Sequence, residues 1–199
     1  MPQQTWDEFY EEHGRFYLLP HPAFKRVVKL LNEIDTKTVI DLGCGNGRHL
    51  VALAEEGFDV NGIDFSPAAV DIAQKWLKER HLPGRASIAD VHDEIKTFKK
   101  DSFDAVFAVN SLNFQSSNDF IDTLREINRL LKTEGILFLV VPSHDSKKNK
   151  RHKQFYFNED GLKVALDDMF EIIELSRDDD KNFVVIAKEK TYIETTLPK

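Results

Sequence analysis

Residues 39–49 read VIDLGCGNGRH, an apolar run that halts at an aspartate and then sets glycines at alternate positions. Val39 and Ile40 are β-branched and suit a buried strand, while Gly43, Gly45 and Gly47 permit positive φ and let a ligand approach the backbone. From Arg48 the apolar spacing changes to three and four, with Leu50, Leu53 and Ala54 on one face. A helix therefore begins there, with its free amides turned toward the glycines. The stretch reads as strand, tight turn and helix, and the turn suits a polar or anionic group.

Beyond this stretch the chain alternates. FDVNGIDF at 58–65 is a second strand, followed near Pro67 by a helix with Ala69, Ile72, Ala73, Trp76 and Leu77 at helical spacing. ASIAD ending at Asp90, FDAVFAVN at 103–110, GILFLVV at 135–141, FEIIELS at 170–176 and NFVVIAKE at 182–189 bring the strands to seven. Helix-length segments separate the first five, which predicts parallel crossovers. Only RDDDK joins the last two, which predicts a hairpin at the C-terminal edge of a mixed α/β sheet.

Composition narrows the class. A chain of 199 residues with 41% hydrophobic content fills one core, so 1–199 is expected to be a single domain with its core at 38–190. A net charge of −7 argues against a broad basic face for nucleic acid and favours a small acceptor. The single cysteine, Cys44, excludes an internal disulfide, no Cys/His group has metal-ligand spacing, and a reducing cytoplasm fits. The longest strongly apolar run, ILFLVV at 136–141, falls far short of the ~20 residues that span a bilayer. The opening MPQQTWDEFYEEHGR carries no secretory apolar region.

Two segments stand outside the alternation. Residues 1–37 form a helical cap, in which Trp6, Phe9, Tyr10, His13 and Tyr17 share a stripe most simply read as packing, and Val27, Val28, Leu30 and Leu31 begin a second helix. Residues 142–157, PSHDSKKNKRHKQFYF, place Lys147, Lys148, Lys150, Arg151 and Lys153 within seven positions and make a candidate lid, although a charge run in a loop is usually solvated.

In an open parallel sheet, ligands bind beyond the carboxyl ends of the strands. Asp41, Asp64, Asp90 and Asn110 stand at four successive ends. Asp64 lies 21 positions beyond Gly43, the interval of a carboxylate that accepts both hydroxyls of a ribose. The plainer readings are caps, Asp64 for the helix after Ser66 and Asp90 for VHDEI. A dinucleotide fingerprint, G-x-G-x-x-G, would place its last glycine at Arg48; here the spacing is G-x-G-x-G, with Asp41 just before the turn. A carboxylate repels a pyrophosphate and attracts an ammonium group, so the expected ligand joins a ribose to a cationic amino-acid end.

These residues together resemble the class I S-adenosylmethionine-dependent methyltransferases. VIDLGCGNGRH is similar to that family's first motif, GIDFS to its acidic second, SIAD to its third, FDAVFAVNSLNF to its fourth, and INRLLKTEGILFLVVP to the helix and strand that follow. The resemblance covers roughly 36–190. It implies a Rossmann-like sheet of order 3-2-1-4-5-7-6 with helices on both faces and the seventh strand antiparallel. It implies S-adenosyl-L-methionine as cofactor, with its ammonium on Asp41, its methionine moiety along Gly43 and Gly45, and its ribose on Asp64 beside Ser66. Phe65 and Val91 would flank the adenine, Asp90 would accept from its amino group, and Asn110 would offer a backbone carbonyl near the sulfonium. Cys44 is a common residue of the motif whose plain role is packing. The run 41–64 is similar to members that methylate small molecules, including the tellurite-resistance methyltransferases.

Methyl transfer from a sulfonium demands alignment above all, so no nucleophilic side chain is required. If the acceptor must lose a proton, His144 and His13 are the candidate bases, though each is more simply a solvated or packed histidine. Trp6, Tyr10, Phe16 and Tyr17 are candidates to close over the cofactor, with packing the safer reading of Trp6. NSLNF at 110–114 replaces the Asn/Asp-Pro-Pro-aromatic tetrad of enzymes that methylate planar amides or exocyclic amines of bases. Competing readings are a non-catalytic partner subunit of the same fold and a nicotinamide-dependent oxidoreductase, against which the glycine spacing and Asp41 weigh.

Overall fold

All seven apolar runs become strands of one sheet in the computed structural model of the chain, which describes residues 3–114, 116–147 and 154–190. In chain order the elements are α1 (Gln3–His13), α2 (Phe24–Glu33), β1 (Thr38–Leu42), α3 (Arg48–Glu55), β2 (Asp59–Asp64), α4 (Pro67–Glu79), β3 (Arg85–Ile88) and α5 (Val91–Glu94). There follow β4 (Phe103–Val109), α6 (Ser117–Leu130), β5 (Leu131–Val141), α7 (Glu159–Asp167), β6 (Phe170–Arg177) and β7 (Phe183–Glu189). The spatial order is β3-β2-β1-β4-β5-β7-β6, and only β7 runs against its neighbours, pairing antiparallel with both β5 and β6.

Strand alternation divides the core between two faces. Val39, Val60, Ala105, Phe107, Phe138 and Ile186 point to the side covered by α2, α3 and α4. Their sequence neighbours Ile40, Val106, Leu137, Leu139, Val185 and Ala187 point to the side covered by α6 and α7. Because both faces are covered, the central strands read as continuous apolar runs. Phe24, Val27, Val28 and Leu31 of α2 are buried in this core, so that helix belongs to the α/β sandwich, and only α1 of the N-terminal segment is left to act as a cover.

Two boundaries differ from the sequence expectation. β5 begins at Leu131 because Phe103 pairs with Leu131 while Ala105 pairs with Ile136; the intervening residues bulge out, with Glu134 in the left-handed region at φ 67°. The β6–β7 turn reaches Asn182, whose amide donates to Asp178 Oδ1 at 2.8 Å, with Lys181 left-handed. No helix among the described residues is long and apolar enough to cross a membrane.

In the candidate lid, Ser143 bridges Phe157, and the Phe157 amide donates to the Pro142 carbonyl at 2.9 Å, so the loop is closed at its base. Lys147 pairs with Asp180 at 2.5 Å. Lys148, Lys150, Arg151 and Lys153 lie outside the described residues.

Candidate cofactor site

Strand order reverses at the β1–β4 boundary, and the first glycine turn leaves β1 there. The amides of Gly43 and Cys44 both donate to the Ile63 carbonyl, at 2.8 and 3.0 Å, which ties the turn to the end of β2. Gly43 (φ 69°) and Gly45 (φ 54°) are left-handed, and each is closely overlain. A Cβ on Gly43 would lie 2.4 Å from Ser111 Cβ, and one on Gly45 would lie 2.5 Å from the Tyr10 hydroxyl. Any side chain at either position would collide with the walls of the site.

Three carboxylates surround this turn and behave differently. Asp41 is 1% exposed, and its Oδ2 has no hydrogen-bond partner among the described residues. Burial raises its pKa to about 7, against the pull of the nearby Arg48 guanidinium. Asp64 is also buried, but it accepts from the Gly45 amide at 2.9 Å and the Ser66 amide at 2.9 Å; burial still raises its pKa in spite of these bonds. Asp90 accepts from the His92 amide at 2.8 Å and caps α5, as its plainer reading held, while also facing the cavity. The cap of α4 is Ser66, whose hydroxyl accepts from Ala69, so Asp64 is not the cap.

A cavity of about 160 Å³ opens beyond these strand ends. One wall is Asp64, Phe65, Asp90 and Val91, the other is Asn110, Ser111 and Phe114, Gly43 lies between them, and Trp6 and Tyr10 of α1 cover it. Asn110 is left-handed at φ 55° and donates its amide to Val140 at 2.9 Å, which turns the chain sharply at the end of β4. Ser111 Oγ is buried with no partner among the described residues. α1 is fastened by Asp7, which accepts from the Ser66 hydroxyl at 2.5 Å and the Ala68 amide at 3.3 Å. Arg15 adds an ion pair to Glu79 at 2.6 Å, and Trp6 packs edge-on against Phe114 at 5.4 Å.

Several residues singled out from the sequence do not line the cavity. Cys44 is packed behind the turn with Sγ 2.9 Å from where a Gly62 Cβ would lie, and burial pushes its thiol pKa up, as does Asp64. Tyr17 is 59% exposed and lies under the Arg48 guanidinium, 5.2 Å from ring centroid to Cζ. His13 is stacked on Phe9 at 4.5 Å, with Nδ1 against the Phe9 carbonyl, and His144 is exposed beside Tyr156. Sequence reasoning missed Ser111 and Phe114 as wall residues, and it named Trp6 as a candidate cover while holding packing the safer reading. The available signals were the replacement of the tetrad by NSLNF and the spacing of four between Trp6 and Tyr10, which puts both on one helix face.

Strand order, glycine turn and a carboxylate at the end of β2 define a Rossmann-like methyltransferase fold. Residues 39–135, just under half of the chain, match the family described as a methyltransferase domain, and over that stretch the chain is similar to the class I S-adenosylmethionine-dependent methyltransferases. The tRNA N(3)-methylcytidine methyltransferase trm140 of Schizosaccharomyces pombe is 24% identical over 203 residues, covering 93% of this chain and 65% of that protein. The demethylmenaquinone methyltransferase of Thermotoga maritima is 30% identical over 136 residues, covering 66% of this chain and 56% of that protein. The chain thus spans less than two thirds of the length of these relatives. The solved structure of a Burkholderia thailandensis 1,6-didemethyltoxoflavin-N1-methyltransferase with bound S-adenosylhomocysteine shares the fold at a TM-score of 0.73 and 19% identity, covering 95% of this chain and 87% of that one.

S-adenosylmethionine is the cofactor of this domain, and the residues present fit it. Asp41 offers an orphaned buried oxygen, two glycines leave a cradle that a Cβ would fill, and Asp64 faces the cavity at the end of β2.

Proposed function

We propose that the protein transfers a methyl group from S-adenosylmethionine to a small-molecule acceptor by in-line displacement. The observation that carries this reading is the cavity itself, where a wall suited to adenosine and a wall of small polar and aromatic groups meet beside the glycine turn. Asp64 takes the ribose hydroxyls, Phe65 and Val91 flank the adenine, and Asp90 accepts from its amino group. Asp41 holds the ammonium, with Gly43 and Gly45 along the methionine chain. Asn110 presents its backbone carbonyl on the transfer side. The cofactor, when bound, supplies a methyl group on a sulfonium sulfur, which needs no further activation.

The remaining task for the chain is positioning, and alignment alone provides up to roughly 7 to 11 kcal/mol in favourable cases. Trp6 and Tyr10 exclude water from above, and their ring faces favour a cation beneath them by ~0.5 to 2 kcal/mol. Ser111 and Asn110 orient the acceptor, because they are neutral and cannot take a proton at ordinary pH. His13 and His144, placed off the cavity, would serve as bases only through movement of α1 or of the 142–157 loop. A small acceptor is favoured over nucleic acid by the net charge of −7 and by the absence of the amide-directed tetrad, although one relative is named for tRNA.

Thermal unfolding with S-adenosylhomocysteine, using NAD as control, tests the reading. A ligand at a hundredfold excess over its Kd stabilises by about 2.7 kcal/mol, which moves the midpoint of a chain of this size by roughly 5 to 10 °C. A shift with S-adenosylhomocysteine alone supports the reading, and no shift overturns it. An acceptor screen with radiolabelled methyl groups then separates a catalyst from a non-catalytic subunit.

A further inference from the structure

The charges around the cavity have one sign. Among the described residues that line it, those charged at neutral pH are Asp64 and Asp90, and both are carboxylates. The wall opposite them is neutral, made of Asn110, Ser111 and Phe114 with Trp6 and Tyr10 above. Trp6 lies nearly parallel to Tyr10, at 5.9 Å and 27°, and edge-on to Phe114, at 5.4 Å and 77°, which forms an aromatic corner suited to a flat molecule. Ser111 Oγ is buried with no partner among the described residues and offers that molecule a hydrogen bond. No side chain of this wall takes up a proton at ordinary pH. Burial, with Asp64 adding to it, pushes the Tyr10 phenol up, so that group also stays protonated.

The neutral wall restricts the acceptor. Because it holds no base, the nucleophile must react through a lone pair it already carries, not one exposed by losing a proton. An anion carries such a pair, but it meets two carboxylates of its own sign, and its methylation abolishes the positive charge that the carboxylates and ring faces favour. An uncharged nitrogen keeps that charge in place. Its lone pair forms the N–CH3 bond as the C–S bond breaks, the bonding pair returns to sulfur as a neutral thioether, and the positive charge passes from sulfur to nitrogen. We propose that the acceptor is an uncharged planar nitrogen base, methylated on a ring nitrogen with an in-plane lone pair and held in the corner of Trp6 and Phe114. This rests on the assignment of S-adenosylmethionine to the cavity and names the substrate class. A phenol must lose a proton to become a good nucleophile, and the lone pair of a planar amide is delocalised, so neither suits a wall without a base.

The test measures binding, by calorimetry at pH 8, to the protein saturated with S-adenosylhomocysteine. Three probes share one two-ring shape: the 2-methylisoquinolinium cation, which stands for a methylated product, its uncharged isostere 2-methylnaphthalene, and the 2-naphthoate anion. The cation is expected to bind about tenfold or more tighter than the isostere, with the anion weakest. Trp6→Leu, which keeps apolar area and loses the ring face, should weaken the cation more than the isostere. With radiolabelled S-adenosylmethionine, isoquinoline should accept the methyl group in preference to 2-naphthol. An anion that binds as tightly as the cation overturns the proposal, as does a cation that binds no better than its isostere, or a preference for 2-naphthol. Failure of all three probes to bind a protein that holds S-adenosylhomocysteine also overturns it and leaves the cofactor reading standing. A protein that does not bind S-adenosylhomocysteine overturns the cofactor reading itself.

Discussion

At the scale of single residues, the site depends on which buried polar atoms are satisfied by the protein and which are left for a ligand. Asp64 carries two backbone hydrogen bonds, so Asp64→Ala removes a ribose acceptor and also orphans the amides of Gly45 and Ser66, at a structural cost of about 1 to 3 kcal/mol. Asp64→Asn keeps one acceptor oxygen but turns the other into an NH2 that faces a backbone amide, so it should weaken S-adenosylhomocysteine at least ~tenfold and lower the melting temperature by less than Asp64→Ala does; unchanged affinity in a titration would remove Asp64 from the ribose. Asp41 behaves in the opposite way, with no protein partner for Oδ2 and a pKa raised to about 7 by burial. Only its ionised form attracts an ammonium group. Affinity for S-adenosylhomocysteine should therefore hold above pH 7 and fall as pH drops below it, approaching tenfold per unit, and Asp41→Asn should flatten that dependence. Binding curves at pH 5.5, 6.5 and 7.5 decide the matter.

At the scale of elements, a buried histidine pair joins three parts of the chain. The His49 ring on α3 accepts the His21 amide at 3.0 Å, His21 Nδ1 accepts the Ala23 amide at 3.1 Å, and His21 Nε2 meets Asp178 Oδ2 at 3.2 Å in the β6–β7 turn. Both rings act as acceptors and so must be neutral. Burial lowers the pKa of each, for His21 against the opposing pull of Asp178, and for His49 with the Arg48 charge adding to the effect. A folded-state pKa below the unfolded value of 6.5 means that the unfolded chain binds the proton first. The stability these rings contribute is therefore present above pH 6.5 and is lost as pH falls below it. The raised carboxylate of Asp41 works the other way between about pH 4 and 7, and Asp64, also raised by burial, acts in the same direction, so the histidine share is isolated by difference. Denaturant midpoints should fall more steeply from pH 7 to pH 5 in the wild type than in His49→Gln, by at most ~1.4 kcal/mol per unit; parallel curves would show that His49 is not the sensitive ring.

At the scale of the whole molecule, the two faces of one sheet hold the site in place. Phe138 is fully buried in β5, against Phe107 at 5.1 Å and His21 at 5.9 Å, at the centre of the layer beneath α2 and α3. Phe138→Ala should cost about 3 to 5 kcal/mol, a large share of the stability of any domain. The loss should appear in chemical denaturation, and a cost below 1 kcal/mol would mean that this layer collapses around the vacancy. The residues that line the cavity come from α1 and from the ends of β1, β2, β3 and β4, so loosening the layer should also weaken cofactor binding. Parallel pairing of the central strands was legible because their runs are apolar on both faces and are separated by helix-length segments, whereas the strand order itself was implied only by the family resemblance. The bulge in β5 was not, since Lys132, Thr133 and Glu134 carry no turn signal of their own and are displaced by pairing with β4.

The sequence by itself determined the α/β architecture, the hairpin at the C-terminal edge, the glycine turn and the four polar strand ends. All of these follow from local periodicity, glycine conformational freedom and chain order, which act between near neighbours. Tertiary structure alone decided that Trp6 and Tyr10 cover the cavity while Tyr17 lies outside it under Arg48. It also decided that Ser66 and not Asp64 caps α4, and that His13 and His144 stand away from the cavity. Those outcomes depend on how α1 docks across α4 and how the end of β4 turns at Asn110. The stripe on α1 specifies that a face is apolar without specifying what it meets, because burial is non-directional and the partner is set by the rest of the fold.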